Sequence, residues 1–192
     1  MSLHADATAV LTDWTPGDDQ QAQLRLMYLA HLAAEPTAMY RDCHPDHLTA
    51  SCLVISADGE QVALTRHPKA GLWLQTGGHC EIGDATLAAA ALREAIEESG
   101  LDDLVIDSEP LRLSRHRVPF CGPVQPAHHF DVQFMAVTSS TALVRSEESD
   151  ELAWWPSDEP PEPTDQDVRD LIAAARRRLQ ESPWPGRPVD IG

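Results

Sequence analysis

The stretch TGGHCEIGDATLAAAALREAIEESGL, residues 76–101, joins paired glycines to an alanine-rich segment that ends in clustered carboxylates. Asp84 or Thr86 can cap the start of a helix here, because short oxygen-bearing side chains accept hydrogen bonds from the first free N–H groups. Gly100 suits the left-handed residue that follows a helix end. The stretch therefore predicts a glycine turn followed by a helix with both ends marked.

The sides of this helix differ in composition. At 100° per residue, small and aliphatic side chains share a face that we expect to be buried: Ala88, Leu92, Ala95, Ile96 and Ser99. Glu94, Glu97 and Glu98 share another side, on which Leu87 also falls, and Arg93 lies one turn before Glu97. One interpretation is a solvated acidic face. The other is a group of carboxylates that binds Mg²⁺ or Mn²⁺, since these ions prefer oxygen ligands.

These residues resemble the Nudix box, G-x5-E-x7-R-E-U-x-E-E-x-G-U, in which U is aliphatic. The matching positions are Gly78, Arg93, Glu94, Glu97, Glu98, Gly100 and Leu101. Asp84 stands where a glutamate is usual, one extra residue separates it from Arg93, and Ala95 is small for the first U position. The flanking WLQTGG and DELAWW are also similar to the family's surroundings. The resemblance implies a Nudix-type α/β/α sandwich with a mixed sheet.

The resemblance also implies an activity, namely water attack at phosphorus in a nucleoside diphosphate-linked or related phosphoanhydride small molecule. It implies that Glu94, Glu97, Glu98 and the carbonyl of Gly77 hold Mg²⁺ or Mn²⁺. Arg93 would orient the glutamates by hydrogen bonding to them without binding the metal itself. Divalent ions suit this chemistry because they neutralise phosphoryl oxygens and activate a bound water. We therefore expect a metal-dependent pyrophosphohydrolase.

Residues outside the box supply further candidates. The proton acceptor is not assigned by the box, and Glu148 and Glu151 are candidates for it, although an exposed acidic loop is the alternative. Side chains that could line a base pocket, although buried aromatics more often belong to the core, are Trp73, Phe120, His128, His129 and Trp154. His79 is a further candidate, because it lies in the loop next to the expected metal ligands. Basic residues of the central region that could reach a phosphate chain are Arg66, Lys69, Arg112, Arg115 and Arg117. Their small number favours a compact nucleoside diphosphate derivative or a modified nucleoside triphosphate over a dinucleoside polyphosphate or capped RNA.

The rest of the chain predicts one domain with additions at its ends. We interpret residues 1–46 as a helical N-terminal extension, residues 47–182 as the Nudix domain and residues 183–192, rich in proline, as an irregular tail. Strands are expected within 48–56, 61–67, 111–120 and 128–139, with a hairpin turn at Asp58-Gly59, and a helix within 165–182. This alternation indicates an α/β or α+β fold.

Composition and charge exclude some classes of function. The 192 residues carry a net charge of −17 with only 14 Lys and Arg, so we expect no nucleic-acid partner. No apolar run approaches the roughly 18 residues that span a bilayer, and no secretory signal is evident, so the expected location is cytoplasmic. The expected partner is a small phosphoanhydride substrate, and a homodimer is left open.

The cysteines give no metal-binding pattern. Cys43, Cys52, Cys80 and Cys121 form no C-x-x-C pair and show no zinc-ligand spacing. Among nine histidines, the neighbours Cys43-His44 and His79-Cys80 are interpreted as chance. Unpaired thiols fit a reducing compartment.

Two other functions remain as alternatives. One is an isomerase similar to isopentenyl-diphosphate isomerase, which needs a cysteine two residues before a histidine. If His79 is that histidine, Gly77 occupies the cysteine's position. The other is a catalytically silent Nudix-fold nucleotide-binding or regulatory module, which typically lacks glutamates that this chain retains. Double-bond migration without phosphate release would identify the first, and nucleotide binding without turnover would identify the second.

Overall fold

The computed structural model describes residues 1–119, 121–146 and 149–181. Its helices are α1 Leu3–Asp13, α2 Asp19–Ala34, α3 Leu87–Ser99 and α4 Gln166–Glu181. Its strands are β1 His47–Ser56, β2 Gln61–Arg66, β3 Trp73–Leu74, β4 Thr76–His79, β5 Val105–Ile106, β6 Arg112–Arg117, β7 His128–Thr138 and β8 Glu151–Pro156. Phe120, Glu148 and the predicted tail 183–192 lie outside the described residues.

The strands form one mixed sheet around the parallel pair β1 and β7, which keeps register from His47 opposite His129 to Ser56 opposite Thr138. On its other side, β1 pairs with β4 along its first half and with β2 near its end, both antiparallel. The predicted hairpin at Asp58-Gly59 thus joins β1 to β2. The mixed sheet matches the sequence-based expectation.

Helices cover both faces of the sheet, and alternation along each strand sorts the apolar side chains between them. One core packs α1, α2 and α3 against sheet residues that include Leu48, Ala50, Phe130, Val132 and Phe134. The other packs α4 against sheet residues that include Leu53, Ile55, Leu64, Met135 and Val137. The predicted α/β/α sandwich is therefore confirmed.

The two N-terminal helices share the sheet's core and also bond to it. The amide of Gln21 in α2 pairs with the backbone of Leu113, donating at 3.0 Å and accepting at 2.7 Å. The buried Tyr28 hydroxyl donates to the carbonyls of Ser114, at 2.7 Å, and Asp131, at 3.0 Å. Asp6 of α1 accepts from the first N–H of α3 at 2.8 Å. These contacts connect residues 1–46 to the elements that carry the candidate site.

Helix α3 corrects the expected burial pattern. Thr86 caps its start and Gly100 ends it in the left-handed conformation, as predicted. Ile96, expected on the buried face, is 39% exposed, whereas Leu87 is fully buried on the side that carries Glu94 and Glu98. The helix therefore turns Glu94 and Glu98 inwards. Among the described residues, no helix combines the length and the apolar character needed to cross a membrane.

Candidate active site

A cleft with a volume of about 1150 Å³ lies over the half of the sheet that α4 leaves uncovered. The face of β1 and β7 that lies under the cleft changes from polar to apolar side chains along the two strands. Beneath the cleft it presents polar side chains, namely Thr49, Ser51, His129, Asp131 and Gln133. Farther along it presents the apolar residues that pack on α4, namely Leu53, Ile55, Met135 and Val137. A switch from polar to apolar residues within two strands thus separates the cleft from the core.

The floor of the cleft holds a buried carboxylate. Asp131 accepts hydrogen bonds from the hydroxyls of Thr49, at 2.9 Å, and Ser51, at 2.6 Å. Burial raises the pKa of Asp131 above its usual range, although these hydrogen bonds oppose the shift. Ser114, also on the floor, donates to Asp167 near the start of α4 at 2.5 Å. The floor is therefore a surface of polar side chains that are hydrogen-bonded to one another.

Helix α3 contributes three carboxylates to the cleft. Glu94, Glu97 and Glu98 all line it. The residues Glu94 and Glu98 are only 9% exposed, while the side chain of Glu97 is 58% exposed. Two of the three acids thus face inwards, which disagrees with a merely solvated acidic face.

Arg93 connects these carboxylates to the loop before the helix. Its guanidinium donates to Glu94 at 3.0 Å, to Glu97 at 3.1 Å and to the carbonyl of His79 at 3.1 Å. It also binds both carboxylate oxygens of Asp84 at 3.1 Å. The hydrogen bonds from Arg93 to Asp84 are the largest cause that raises the arginine's pKa, so its charge is constant. Asp84 therefore reaches Arg93 despite the extra residue between them.

Strand β4 needs its glycines for close approach. A Cβ atom on Gly77 would lie 2.4 Å from the Cβ of Ser51 on the neighbouring strand. A Cβ atom on Gly78 would lie 2.6 to 2.7 Å from the carboxylate atoms of Glu94. Both distances are shorter than real Cβ contacts. The absence of side chains thus lets the backbone of β4 lie directly against the carboxylate of Glu94.

The donor set fits a hard divalent cation. Three carboxylates of one helix line the cleft together with Gly77, and glycine there leaves the backbone accessible. Arg93 holds Glu94 and Glu97 in place through nitrogens that do not compete as ligands. Oxygen donors of this kind suit Mg²⁺ or Mn²⁺.

Of the predicted basic residues, only Lys69 and Arg117 line the cleft among the described residues. The other three form ion pairs: Arg66 with Glu151 at 3.2 Å, Arg112 with Asp170 at 3.4 Å and Arg115 with Asp46 at 3.8 Å. Arg41, which sequence reasoning missed, also lines the cleft. It lies in the segment before β1, where no pattern pointed to the site.

Of the remaining candidates for proton acceptor or base pocket, some line the cleft and others lie elsewhere in the fold. Glu151 pairs with Arg66, is 58% exposed at its side chain and does not belong to the described cleft lining. Trp73 lies in the α4 core, with its ring centroid 5.2 Å from that of Trp155. Trp154 donates to the carbonyl of Thr141, and His128 bonds Asp46. His79 and His129 do line the cleft.

A group of three histidines and one cysteine was also missed. His47, His79, His129 and Cys121 offer ligand-type atoms that all lie within 4.8 Å of one another. Burial lowers the pKa of His79 to about 4 and that of His129 to about 2, so both imidazoles are neutral at pH 7. In the sequence these four residues are spread over more than eighty positions, so no local motif indicates that they form a group.

Comparison with known proteins agrees with this architecture. A family model described as NUDIX domain matches residues 45–175. A NUDIX family hydrolase from Clostridium perfringens is 22% identical with a TM-score of 0.57, over 69% of this chain and 97% of that chain. The NUDIX domain of Shewanella oneidensis NrtR, solved with ADP ribose, is 25% identical with a TM-score of 0.56, over 80% and 97%. An Ap4A hydrolase from C. elegans is 15% identical with a TM-score of 0.57, over 70% and 98%. No curated protein matches.

Proposed function

Because this chain belongs to the Nudix family, we propose that it is a pyrophosphohydrolase that uses Mg²⁺ or Mn²⁺ to hydrolyse a nucleoside diphosphate-linked small molecule. The observation that carries this proposal is the set of three carboxylates on the wall of a large cleft, two of them bound by one arginine.

Each residue of the site has a role in this proposal. Glu94, Glu97, Glu98 and the carbonyl of Gly77 would hold the cation. When bound, the divalent ion neutralises phosphoryl oxygens and lowers the pKa of a coordinated water. Arg93 is a positioning residue, because its hydrogen bonds to Glu94 and Glu97 keep both carboxylates oriented before metal binds.

The charges of the cleft support a compact substrate. Lys69, Arg117 and Arg41 can bind a short chain of phosphates, while Leu72 and Leu74 add apolar surface for the rest of the molecule. The NUDIX domain of NrtR was solved with ADP ribose, and a second similar structure is an Ap4A hydrolase. Since only three cations besides Arg93 line the described cleft, we favour a nucleoside diphosphate derivative or a modified nucleoside triphosphate over a dinucleoside polyphosphate or capped RNA.

The test is a substrate panel with matched variants. Purified protein is incubated with nucleoside diphosphate derivatives, nucleoside triphosphates, dinucleoside polyphosphates and capped RNA, and the released phosphates are measured with and without Mg²⁺ or Mn²⁺. For the best substrate, Glu97→Gln and Glu98→Gln should each lower kcat about 100-fold or more, because several kcal/mol of charge stabilisation is lost. Glu60→Gln, on the exposed β1–β2 hairpin, is the control and should keep normal turnover.

Three outcomes would contradict parts of the proposal. Near-normal turnover of Glu97→Gln or Glu98→Gln at saturating metal would remove that residue from the metal site. Tight nucleotide binding with no turnover on the whole panel would support the silent module instead. Cleavage of capped RNA or long dinucleoside polyphosphates alone would refute the compact-substrate assignment.

A further inference from the structure

Three imidazoles and one thiol converge at the cleft that the carboxylates also line. Their donors are nitrogen and sulfur, whereas the donors of the carboxylates are oxygen. His47 comes from β1, His79 from β4, His129 from β7 and Cys121 from the loop between β6 and β7. Their ligand-type atoms lie within 4.8 Å of one another. We propose that these four side chains bind one Zn²⁺ ion, at a site separate from the carboxylate site for Mg²⁺ or Mn²⁺.

The distances agree with tetrahedral coordination. Typical Zn–N and Zn–S bonds of about 2.0 and 2.3 Å place a sulfur and a nitrogen about 3.5 Å apart across a tetrahedral angle. The Sγ of Cys121 lies 3.8 Å from Nε2 of His47 and 3.7 Å from Nε2 of His79. Small side-chain movements would complete the geometry.

Two imidazoles already present the correct nitrogen. Nδ1 of His47 lies 3.2 Å from the carbonyl oxygen of Cys43, which can only accept, so Nδ1 carries the proton and Nε2 has a free lone pair. This is the outer hydrogen bond that usually orients a metal-binding histidine. Nε2 of His129 is buried and has no hydrogen-bond partner among the residues that the structure describes. A buried nitrogen without a partner is costly, and a bound metal would satisfy it.

The donor set selects the metal and its role. Imidazole nitrogen and thiolate sulfur suit Zn²⁺, whereas Mg²⁺ and Mn²⁺ prefer oxygen. Four protein ligands leave no open position, which is typical of structural zinc. The ion would fasten Cys121, in a loop that lines the cleft, to three strands of the sheet. Because His79 accepts from Arg93 through its carbonyl, the zinc site would also support the strand against which Glu94 packs.

The first test is the metal content and ligand set of the full chain. After expression in zinc-supplemented medium and dialysis against metal-free buffer, elemental analysis should find one zinc per chain. X-ray absorption should show one sulfur at about 2.3 Å and three nitrogens at about 2.0 Å from zinc. Absence of zinc, with no uptake of Zn²⁺ or Co²⁺ by the metal-free protein, would overturn the proposal, as would an all-oxygen ligand set or stoichiometric copper or iron.

Paired variants locate the ion. Cys121→Ser and His129→Asn should each reduce bound zinc at least tenfold at a fixed free-zinc concentration. Cys43→Ser and His128→Asn remove a nearby thiol and imidazole outside the group and should retain one zinc. If the controls lost zinc equally, or if Cys121→Ser retained it with an unchanged absorption spectrum, the assignment would be wrong. If a variant fails to fold, the ligand set in the wild-type X-ray absorption spectrum alone decides whether the zinc site is correct.

Measuring bound zinc and turnover together also distinguishes the proposed zinc site from the proposed hydrolase activity. Glu98→Gln should abolish turnover yet leave one zinc per chain, since Glu98 is outside the group. Loss of zinc in that variant would place the ion among the carboxylates and refute a separate site. A chain that binds zinc through sulfur and nitrogen but hydrolyses nothing would refute the hydrolase and leave the zinc site supported.

Discussion

The contact between Gly78 and Glu94 makes a specific prediction about Gly78→Ala. The added Cβ would lie 2.6 Å from a carboxylate oxygen of Glu94, whereas ordinary contacts begin at 3.4 Å. The carboxylate must therefore move by about 0.8 Å, a distance several times larger than the roughly 0.2 Å tolerance of metal–ligand bonds. The atom displaced is the end of a flexible side chain, so the fold should survive.

The expected magnitude is a large loss of function in a folded protein. A misplacement near 1 Å at a catalytic group can cost about 100-fold in rate, which corresponds to about 2.7 kcal/mol of activation free energy. We expect kcat for the best substrate to fall by about 10- to 100-fold. Mn²⁺ affinity, measured by electron paramagnetic resonance without substrate, should also fall.

The control lies in the loop that follows β4. A Cβ on Gly83 meets no atom within 4 Å, so Gly83→Ala should keep normal kcat and Mn²⁺ affinity. Circular dichroism and thermal melting should show both variants folded. Normal Mn²⁺ affinity and turnover in Gly78→Ala would refute the reasoning, because Glu94 could then move without consequence and would not be a ligand.

Three further outcomes are expected. Arg93→Ala should weaken the apparent Mg²⁺ affinity about 10- to 100-fold while saturating Mg²⁺ restores most of kcat, since the arginine acts through its carboxylate partners; an unchanged metal titration would contradict this. Tyr28→Phe removes the hydrogen bonds from the buried hydroxyl to the carbonyls of Ser114 and Asp131 and should lower the free energy of unfolding by about 0.5–1.5 kcal/mol in urea titrations. A cost near zero would show that these hydrogen bonds contribute nothing net to stability. The hydrogen bond from Thr138 lowers the pKa of Asp103. The ionised Asp103 therefore stabilises the fold at pH values above its ordinary pKa of about 3.9, and this stabilisation is lost as pH falls through the lower pKa of the folded state. Asp103→Asn should therefore lower Tm at pH 7, with a difference that shrinks below about pH 4; a difference that grows in acid would reverse the assigned sign.

Local sequence was enough to predict helix α3 and its carboxylates. Caps, glycine at the helix end and spacings of three and four residues act within a few residues of the chain, so they can be identified without a fold. The same holds for the β1–β2 hairpin, whose turn at Asp58-Gly59 joins neighbouring apolar runs. The resemblance of residues 78–101 to the Nudix box then led to the mixed sheet between helices, which the structure confirms.

The sequence did not determine which face of α3 meets the rest of the protein. Periodicity shows which side chains lie on one face, but the assignment of the apolar face to the interior assumes an apolar neighbour. Here the buried side packs partly on the apolar core, through Leu87, Ala91 and Ala95, and partly against β4 beside the cleft. Glu94 and Glu98 are therefore buried while Ile96 is exposed. The sequence also did not show whether Asp84 reaches Arg93 across the one extra residue, since only the folded loop shows that the two side chains meet.

Only the tertiary structure shows that the three histidines and Cys121 lie close together. His47 and His129 are neighbours because β1 and β7 run parallel in a register that places them opposite each other. His79 arrives from β4 on the other side of β1, where it pairs with Thr49, and Cys121 arrives from a loop. Sequence spacing identifies metal ligands only when they share a turn or a helix, because only there does chain distance set spatial distance. When the ligands come from separate strands, strand order and register bring them together, and both are properties of the folded sheet.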